Sequence, residues 1–317
     1  MKNKFCYILC LVLCLFVFSS DINAENSEVI EVQELTFEDA KSLAADGNVD
    51  LQLAVGRIYL SGSGAVEKSN EEAFKWFKRA AENCNAEAQV MVGSMYRDGQ
   101  GVGIDKKEGL KWLTKAAKQG DAYMQYVLGD TYAYDKDLRN YKKAFEWYLK
   151  SAKQNFVDSQ IIVAEMYNRG VGVKLNLNEA FEWFKKAANN GNTASKFKVG
   201  AMYLNGQGIE KNADEAFKWC KMAYDDGDNM AALLLGGMYY EGSGTEKDYK
   251  KAFDCFKKAA QSGNNIAQSN LAGMYLKGDG VDKNLKEALF WYIKAAQNGN
   301  ESAKSMMEEI QGQINKD

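Results

Sequence analysis

Histidine is absent from all 317 residues, and that one gap closes most routes to catalysis. Without an imidazole there is no Ser–His or Cys–His nucleophile pair and no His-based metal site. Beyond the first 24 residues only Cys84, Cys220 and Cys255 remain, too few for a structural zinc site. No EF-hand loop occurs. Adjacent carboxylates such as Glu71/Glu72 and Asp225/Asp226 could serve acid–base chemistry, but they fall at predicted helix ends and read as solvated caps. Six Gly-x-Gly turns, from Gly62/Gly64 to Gly278/Gly280, each follow one helix and precede another. A phosphate-binding loop follows a strand and is not repeated six times, so the turns read as structure. No catalytic residue, cofactor or metal site is expected, and the chemistry left to the chain is recognition.

The elements that would position a recognition surface are periodic. All six tryptophans (Trp76, Trp112, Trp147, Trp183, Trp219 and Trp291) are spaced by 36, 35, 36, 36 and 72 residues, with Cys255 in the vacant place. Tyr59, Tyr96, Tyr132, Tyr167, Tyr203, Tyr239 and Tyr275 run in step with them. A fixed period near 36 marks a stacked repeat array.

Each unit reads as two helices of about 12 residues, with apolar positions at i, i+3, i+4 and i+7. Around Tyr203 the first helix buries Ser195, Val199 and Tyr203, and the second buries Ala216, Trp219 and Ala223. Ser69, Asp105, Asn140, Asn176, Asn212, Asp248 and Asn284 stand where the second helices begin, and their short oxygens suit an N-cap. Glu72, Glu108, Glu179, Glu215 and Glu287 follow three residues later, the spacing of a capping box. Gly120, Gly191, Gly227, Gly263 and Gly299 end those helices, with Cys84 and Asn155 in the same place elsewhere. Gly56, Gly93, Gly129, Gly200 and Gly236 lie inside first helices, each costing about 1 kcal/mol against alanine. Close approach by the neighbouring tryptophan is the expected reason. Cys220 sits one place after the Trp column and Cys255 within it, about 100° apart around the helix, so two buried free thiols are expected rather than a bridge.

The first residues follow another logic. Lys2 and Lys4 precede an apolar run from Phe5 to Phe18, and a polar stretch then leads to Ala24. That is the layout of a secretory signal peptide cut after Ala24, because 14 apolar residues are too few to cross a bilayer of about 30 Å at 1.5 Å each. A lipid-attached cysteine is the alternative, disfavoured by Leu13 before Cys14. The expected product is exported, periplasmic with secretion as the alternative, and without an integral membrane segment. Losing Lys2, Lys4 and Asp21 takes 40 basic and 43 acidic residues to 38 and 42, a net charge of −4. That balance gives no electrostatic reason to expect nucleic acid.

Val92-Gly93…Tyr96, Gly99-Gln-Gly101 and Ala180-Phe-Glu-Trp183-Phe-Lys-Lys-Ala187-Ala188 closely resemble the Sel1-like repeats, relatives of the tetratricopeptide repeats. The pattern recurs seven times over about 48–299. Read this way the chain is all-α, a right-handed α-solenoid of seven helical hairpins with half-repeat caps. Its segments are 1–24 signal peptide, 25–47 N-terminal segment and cap, repeats at 48–84, 85–120, 121–155, 156–191, 192–227, 228–263 and 264–299, and 300–317 C-terminal cap. Repeat three departs most, because Tyr132-Ala-Tyr134-Asp-Lys-Asp-Leu lacks the glycine turn.

The resemblance implies that first helices line a concave surface for a protein partner. Exported bacterial members resemble host-interaction, envelope-assembly or toxin-immunity factors. One cysteine-rich branch implies a cell-wall or β-lactam-directed hydrolase instead, but this chain lacks that branch's disulfide in every repeat. If first helices line the surface, residues nine, six and two before each tyrosine and one and two after it face the partner. Repeat three then presents Tyr123, Tyr126, Asp130 and Tyr134, with Arg97 one repeat before and Asn168 and Arg169 one after. Tyrosine beside arginine is the makeup of a binding hot spot. The competing reading is that these aromatics repair the packing of an irregular repeat.

Overall fold

The computed structural model describes residues 36–314, so the leader, the proposed cleavage after Ala24 and the last three residues lie outside the described part. Among the described residues there are sixteen helices and no strand. The chain is an all-α repeat array, and it divides into two compact units at Ser151/Ala152.

The first unit opens with α1 (Phe37–Ala45), a lone second helix. Three hairpins follow: α2 (Val49–Ser61) with α3 (Asn70–Glu82), α4 (Ala86–Asp98) with α5 (Lys106–Lys118), and α6 (Ala122–Tyr134) with α7 (Tyr141–Ala152). The second unit holds α8 (Val157–Arg169) with α9 (Leu177–Asn189), α10 (Thr193–Asn205) with α11 (Ala213–Asp225), α12 (Asn229–Glu241) with α13 (Tyr249–Gln261), and α14 (Asn265–Lys277) with α15 (Leu285–Gln297). The lone first helix α16 (Glu301–Ile314) covers the last apolar face, burying Ala303 and Ile310 against α15.

Helix entry follows the expected chemistry. Ser69, Asp105, Asn176, Asn212, Asp248 and Asn284 each accept a backbone N–H of the first turn, and Asn140 accepts that of Lys143 at 3.0 Å. Each of these capping residues also donates its own N–H to the carbonyl of the preceding ladder tyrosine, as Asp105 does to Tyr96 at 2.9 Å. That bond closes the hairpin loop. The expected capping boxes do not form at these caps. Glu72 and Glu108 bridge instead to Lys75 and Lys111, and the reciprocal box occurs at Thr36/Asp39 of α1. The side-chain oxygen satisfies the backbone donor, while the carboxylate gains more from a cation one turn away.

The tyrosine ladder joins successive repeats edge to face. Tyr96 meets Phe74 at 5.1 Å, Tyr203 meets Phe181 at 5.0 Å and Tyr239 meets Phe217 at 5.2 Å, each with rings nearly perpendicular. A buried glutamine column, which the periodic reading overlooked, adds a polar joint. Gln52, Gln89, Gln160 and Gln268 donate to the carbonyls of Ala44, Ala81, Ala152 and Ala260, at the exposed end of the preceding helix's hydrogen-bond ladder. The amide oxygens of Gln89, Gln160 and Gln268 accept from Gln119, Asn190 and Asn298 at 2.9–3.0 Å. In repeat five Lys196 holds the same position and pairs with Asp226 at 2.6 Å.

The tryptophans do not fill the space beside the helical glycines. The residue one place later does: a Cβ on Gly56, Gly129 or Gly236 would lie 2.6–2.7 Å from the ring of Phe77, Tyr148 or Phe256. One place along a helix turns the side chain by about 100°, and that turn carries it into the partner helix. Trp76 and Trp112 pack toward the preceding element instead, Trp76 with Ala44 and Trp112 with Ala80 and Ala81, and Lys115, Lys150 and Lys186 lie 3.9 Å over Trp112, Trp147 and Trp183.

Cys220 and Cys255 are buried and unbridged, and Cys84 is exposed. Burial pushes the Cys220 thiol up to about 12 and that of Cys255 to about 11. Because the folded values lie above the unfolded one, stability falls as pH rises from the ordinary thiol range through these values. Iodoacetamide at pH 8 should therefore alkylate Cys84 and spare Cys220 and Cys255, as read by peptide mass. Equal labelling of the three would show that α11 and α13 open on the labelling timescale.

Candidate functional site

Repeat three keeps its hairpin without a glycine turn. Helix α6 ends at Tyr134, and Asp135 stays in an extended conformation with its carboxylate accepting the N–H groups of Asp137 and Leu138 at 2.9 and 3.3 Å. Lys106 of the repeat before reaches Asp135 at 3.2 Å and Asp137 at 2.5 Å. A side-chain turn tied to a neighbouring cation thus does the work of the missing glycines. At the other end Asn155 adopts the left-handed conformation, φ 66°, that glycine holds in most repeats.

On α6 the four predicted residues separate into two kinds. Tyr123 and Tyr134 stand 52% and 72% exposed, large apolar surfaces open to solvent. Tyr126 and Asp130 are half-buried. Tyr126 stacks on Tyr123 at 6.3 Å and leans on buried Tyr148 at 6.0 Å, while the Tyr148 hydroxyl donates to Asp130 at 2.5 Å. Burial, reinforced by that carboxylate, drives the Tyr148 phenol far above its ordinary range, so it stays a donor. Tyr148 stands where most repeats carry Phe or Leu, and Asp130 answers its extra hydroxyl.

Arg97 ends α4 half-buried, and its guanidinium holds Asp98 in two bonds of 2.7 and 2.9 Å. The pair keeps the Asp98 carboxyl below the usual carboxylate range. Tyr123, Tyr126, Asp130 and Tyr134 therefore share one helix, with Arg97 on the corresponding helix of the preceding repeat. Asn168 and Arg169 belong to the second unit, at the end of α8, where Arg169 Nε lies 3.2 Å from Glu165 Oε2 and Lys198 Nζ lies 3.5 Å from Glu165 Oε1. The second unit also holds a concavity that no motif in the sequence marks, between α12, α14 and α16, whose lining includes Gly237, Tyr240, Gly273, Lys277 and Tyr292. Two glycines in successive repeats, at the position two before the ladder tyrosine, were the signal available in the sequence.

Among the described residues no group of three His, Cys, Asp or Glu could hold a metal, and no helix is long and apolar enough to cross a membrane. Residues 49–83, 86–121, 122–156, 157–192, 193–228, 229–264 and 265–300 each match the Sel1 repeat. The chain belongs to the Sel1-repeat family. Two solved Sel1-repeat structures are similar to it. One is a protective antigen of uropathogenic Escherichia coli strains displaying an SLR fold, 31% identical with a TM-score of 0.73, the match covering 87% of this chain. This chain spans 59% of that antigen's length. The other is a Sel1 repeat protein of Oxalobacter formigenes, 32% identical with a TM-score of 0.65, covering 86% of this chain and 79% of that one. No curated protein matches the chain. Sel1 repeats mediate protein–protein interaction.

Proposed function

We propose that this Sel1-repeat chain is an exported, non-catalytic scaffold that binds a protein partner through its first helices. The observation that carries the reading is the pair of exposed tyrosines, Tyr123 and Tyr134, on the one hairpin that departs from the repeat pattern. A scaffold gains nothing in stability from a 72%-exposed tyrosine, whereas rigid aromatic surface is what hot spots use. Tyr126 stacks on Tyr123 and braces it against buried Tyr148. The role is host interaction, envelope assembly or toxin immunity, and the similarity to a protective antigen supports an envelope or host-facing setting. The leader layout supports export.

A photo-crosslinking residue placed at 123 or 134 in cells that make the protein natively should capture one and the same partner. The same probe at exposed Lys111, on a second helix, should not. With the partner in hand, Tyr123→Ala with Tyr134→Ala should weaken binding by about 2 kcal/mol or more, as hot-spot truncation does. Capture from position 111 alone, or unchanged affinity in the double variant, would put the partner on another surface.

A further inference from the structure

Tyr292 of α15 occupies the same repeat position as Tyr148, one place after the tryptophan, and it too is buried, at 5% exposure. The two hydroxyls meet different surroundings. Tyr148 donates to Asp130, which lies two residues before the ladder tyrosine of its own repeat. In repeat seven that position is Gly273, and Tyr292 makes no hydrogen bond within the described chain. The missing side chain leaves a pocket of about 420 Å³ between α12, α14 and α16, and Gly237 widens it in the repeat before. Unlike the glycines wedged against a ring, these two face open space. A Cβ on Gly237 would have nothing within 4 Å, and one on Gly273 would meet only the Tyr292 hydroxyl at 3.6 Å.

The pocket also carries a cation. Lys277 lines it with its ammonium 3.4 Å from the Tyr240 hydroxyl, and no carboxylate among the described residues lies within ion-pairing distance. Asp279 is taken by the Tyr240 hydroxyl at 2.8 Å. Glu241 lines the pocket as well, and it and Lys277 are both exposed, so solvent and salt screen the two charges alike. Phe256 and Met306 add apolar wall.

A phenol donor that opens into the pocket with no acceptor among the described residues, an ammonium that no carboxylate pairs and an apolar wall define what fits. We propose that this pocket binds a carboxylate carried on a short aliphatic stem, seated on the Tyr292 hydroxyl as Asp130 is seated on that of Tyr148, with Lys277 neutralising its charge. The stem takes the space that a side chain at position 273 would fill. Charge-assisted bonds of this kind are the stronger class, and the low-dielectric floor strengthens them further. The carboxylate is either a glutamate side chain of a protein or a free small acid, and the pocket recognises what the two share. The inference stands apart from the role of repeat three, which lies in the other unit.

The test is a titration of the full chain with tyrosine rings carrying a carbon-13 label, the Tyr292 signals assigned by Tyr292→Phe. The probes are butyrate and its neutral amide, and a glutamate and a glutamine residue each capped at both ends. At least one carboxylate should shift the Tyr292 ring saturably, with its amide counterpart about tenfold weaker or more. Saturation by capped glutamate and not butyrate assigns a protein side chain, and the reverse assigns a free acid. Lys277→Met should weaken the same titration. Gly273→Asp should abolish it by supplying the acceptor from within, while helix content and cooperative unfolding stay intact. Carboxylate and amide binding alike, no saturation by either acid, or a Gly273→Asp chain that folds and still binds would each overturn the proposal.

Discussion

Gly208→Ala should destabilise the second unit by about 3 kcal/mol or more, whereas Gly206→Ala should cost only about 1–2 kcal/mol. The two glycines flank one residue of the same turn and have nearly the same backbone, φ 72° and 68°. A methyl group therefore meets the same left-handed penalty at both. What differs is the space. At Gly206 the added carbon would lie 3.5 Å from Lys211 Cβ, an ordinary contact. At Gly208 it would lie 2.0 Å from the carbonyl oxygen of Leu177, which belongs to the preceding repeat's second helix. Backbone cannot swing away as a side-chain tip can, so two repeats must separate. Urea unfolding followed by helix content reads the difference directly, as a midpoint shift at constant slope. Equal losses at the two positions would show that the turn's dihedral angles alone, and not the contact between repeats, fix the second glycine.

Gly200→Leu should cost about 1–3 kcal/mol, despite a gain of about 1 kcal/mol in helix propensity over glycine. The obstruction is not the tryptophan that the spacing suggested. A Cβ at Gly200 would stand 2.6 Å from Cys220 Sγ, 3.1 Å from the Cys220 nitrogen and 3.2 Å from the Ala216 carbonyl. Two of those three atoms are backbone, so trimming Cys220 to alanine should restore only part of the loss. Gly237→Ala is the internal control. It too is a helical glycine, but with nothing within 4 Å of the new carbon, and it should stabilise by about 0.5–1 kcal/mol. Thermal and urea unfolding of the three variants would decide it. A neutral Gly200→Leu would mean that α10 and α11 have room to part.

The repeat architecture was legible in the sequence because its signals are local and iterated. A short oxygen before each second helix, glycine after it and one aromatic per helix say where elements start, stop and bury a face. What could not be read is what side chains meet across elements. Spacing placed Trp219 and Cys220 on one helix but did not say which of them faces Gly200. Three-residue spacing likewise announced capping boxes at Glu72 and Glu108, where lysines one turn on compete for the same carboxylates. The candidate face was legible as a set of positions, and its division was not. Tyr126 and Tyr134 look alike in sequence, yet one is half-buried against Tyr148 and the other is open to solvent. Tyr148 decides this, and it lies on a different helix. The glutamine column was there to be read at the same period and went unnoticed because buried amides carry no hydrophobic signal.

The seat of Gly208 under Leu177 also bears on how such a chain changes over generations. Equivalent second glycines at positions 101, 244 and 280 are pinned by the carbonyls of Asn70, Ala213 and Tyr249, 2.1–2.3 Å from where a side chain would begin. The residue between the two glycines is under no such constraint: it is Ser63, Gln100, Val171, Gln207, Ser243 or Asp279, and none of these is buried. Variation is thus refused at one position of the loop and left open at its neighbour, in the four repeats where that carbonyl lies beneath the second glycine. Asp279 shows what the open position can acquire, since it now holds Tyr240 at the lip of a pocket. Drift at these middle residues can re-aim the surface toward a new ligand while every joint of the array stays as it was.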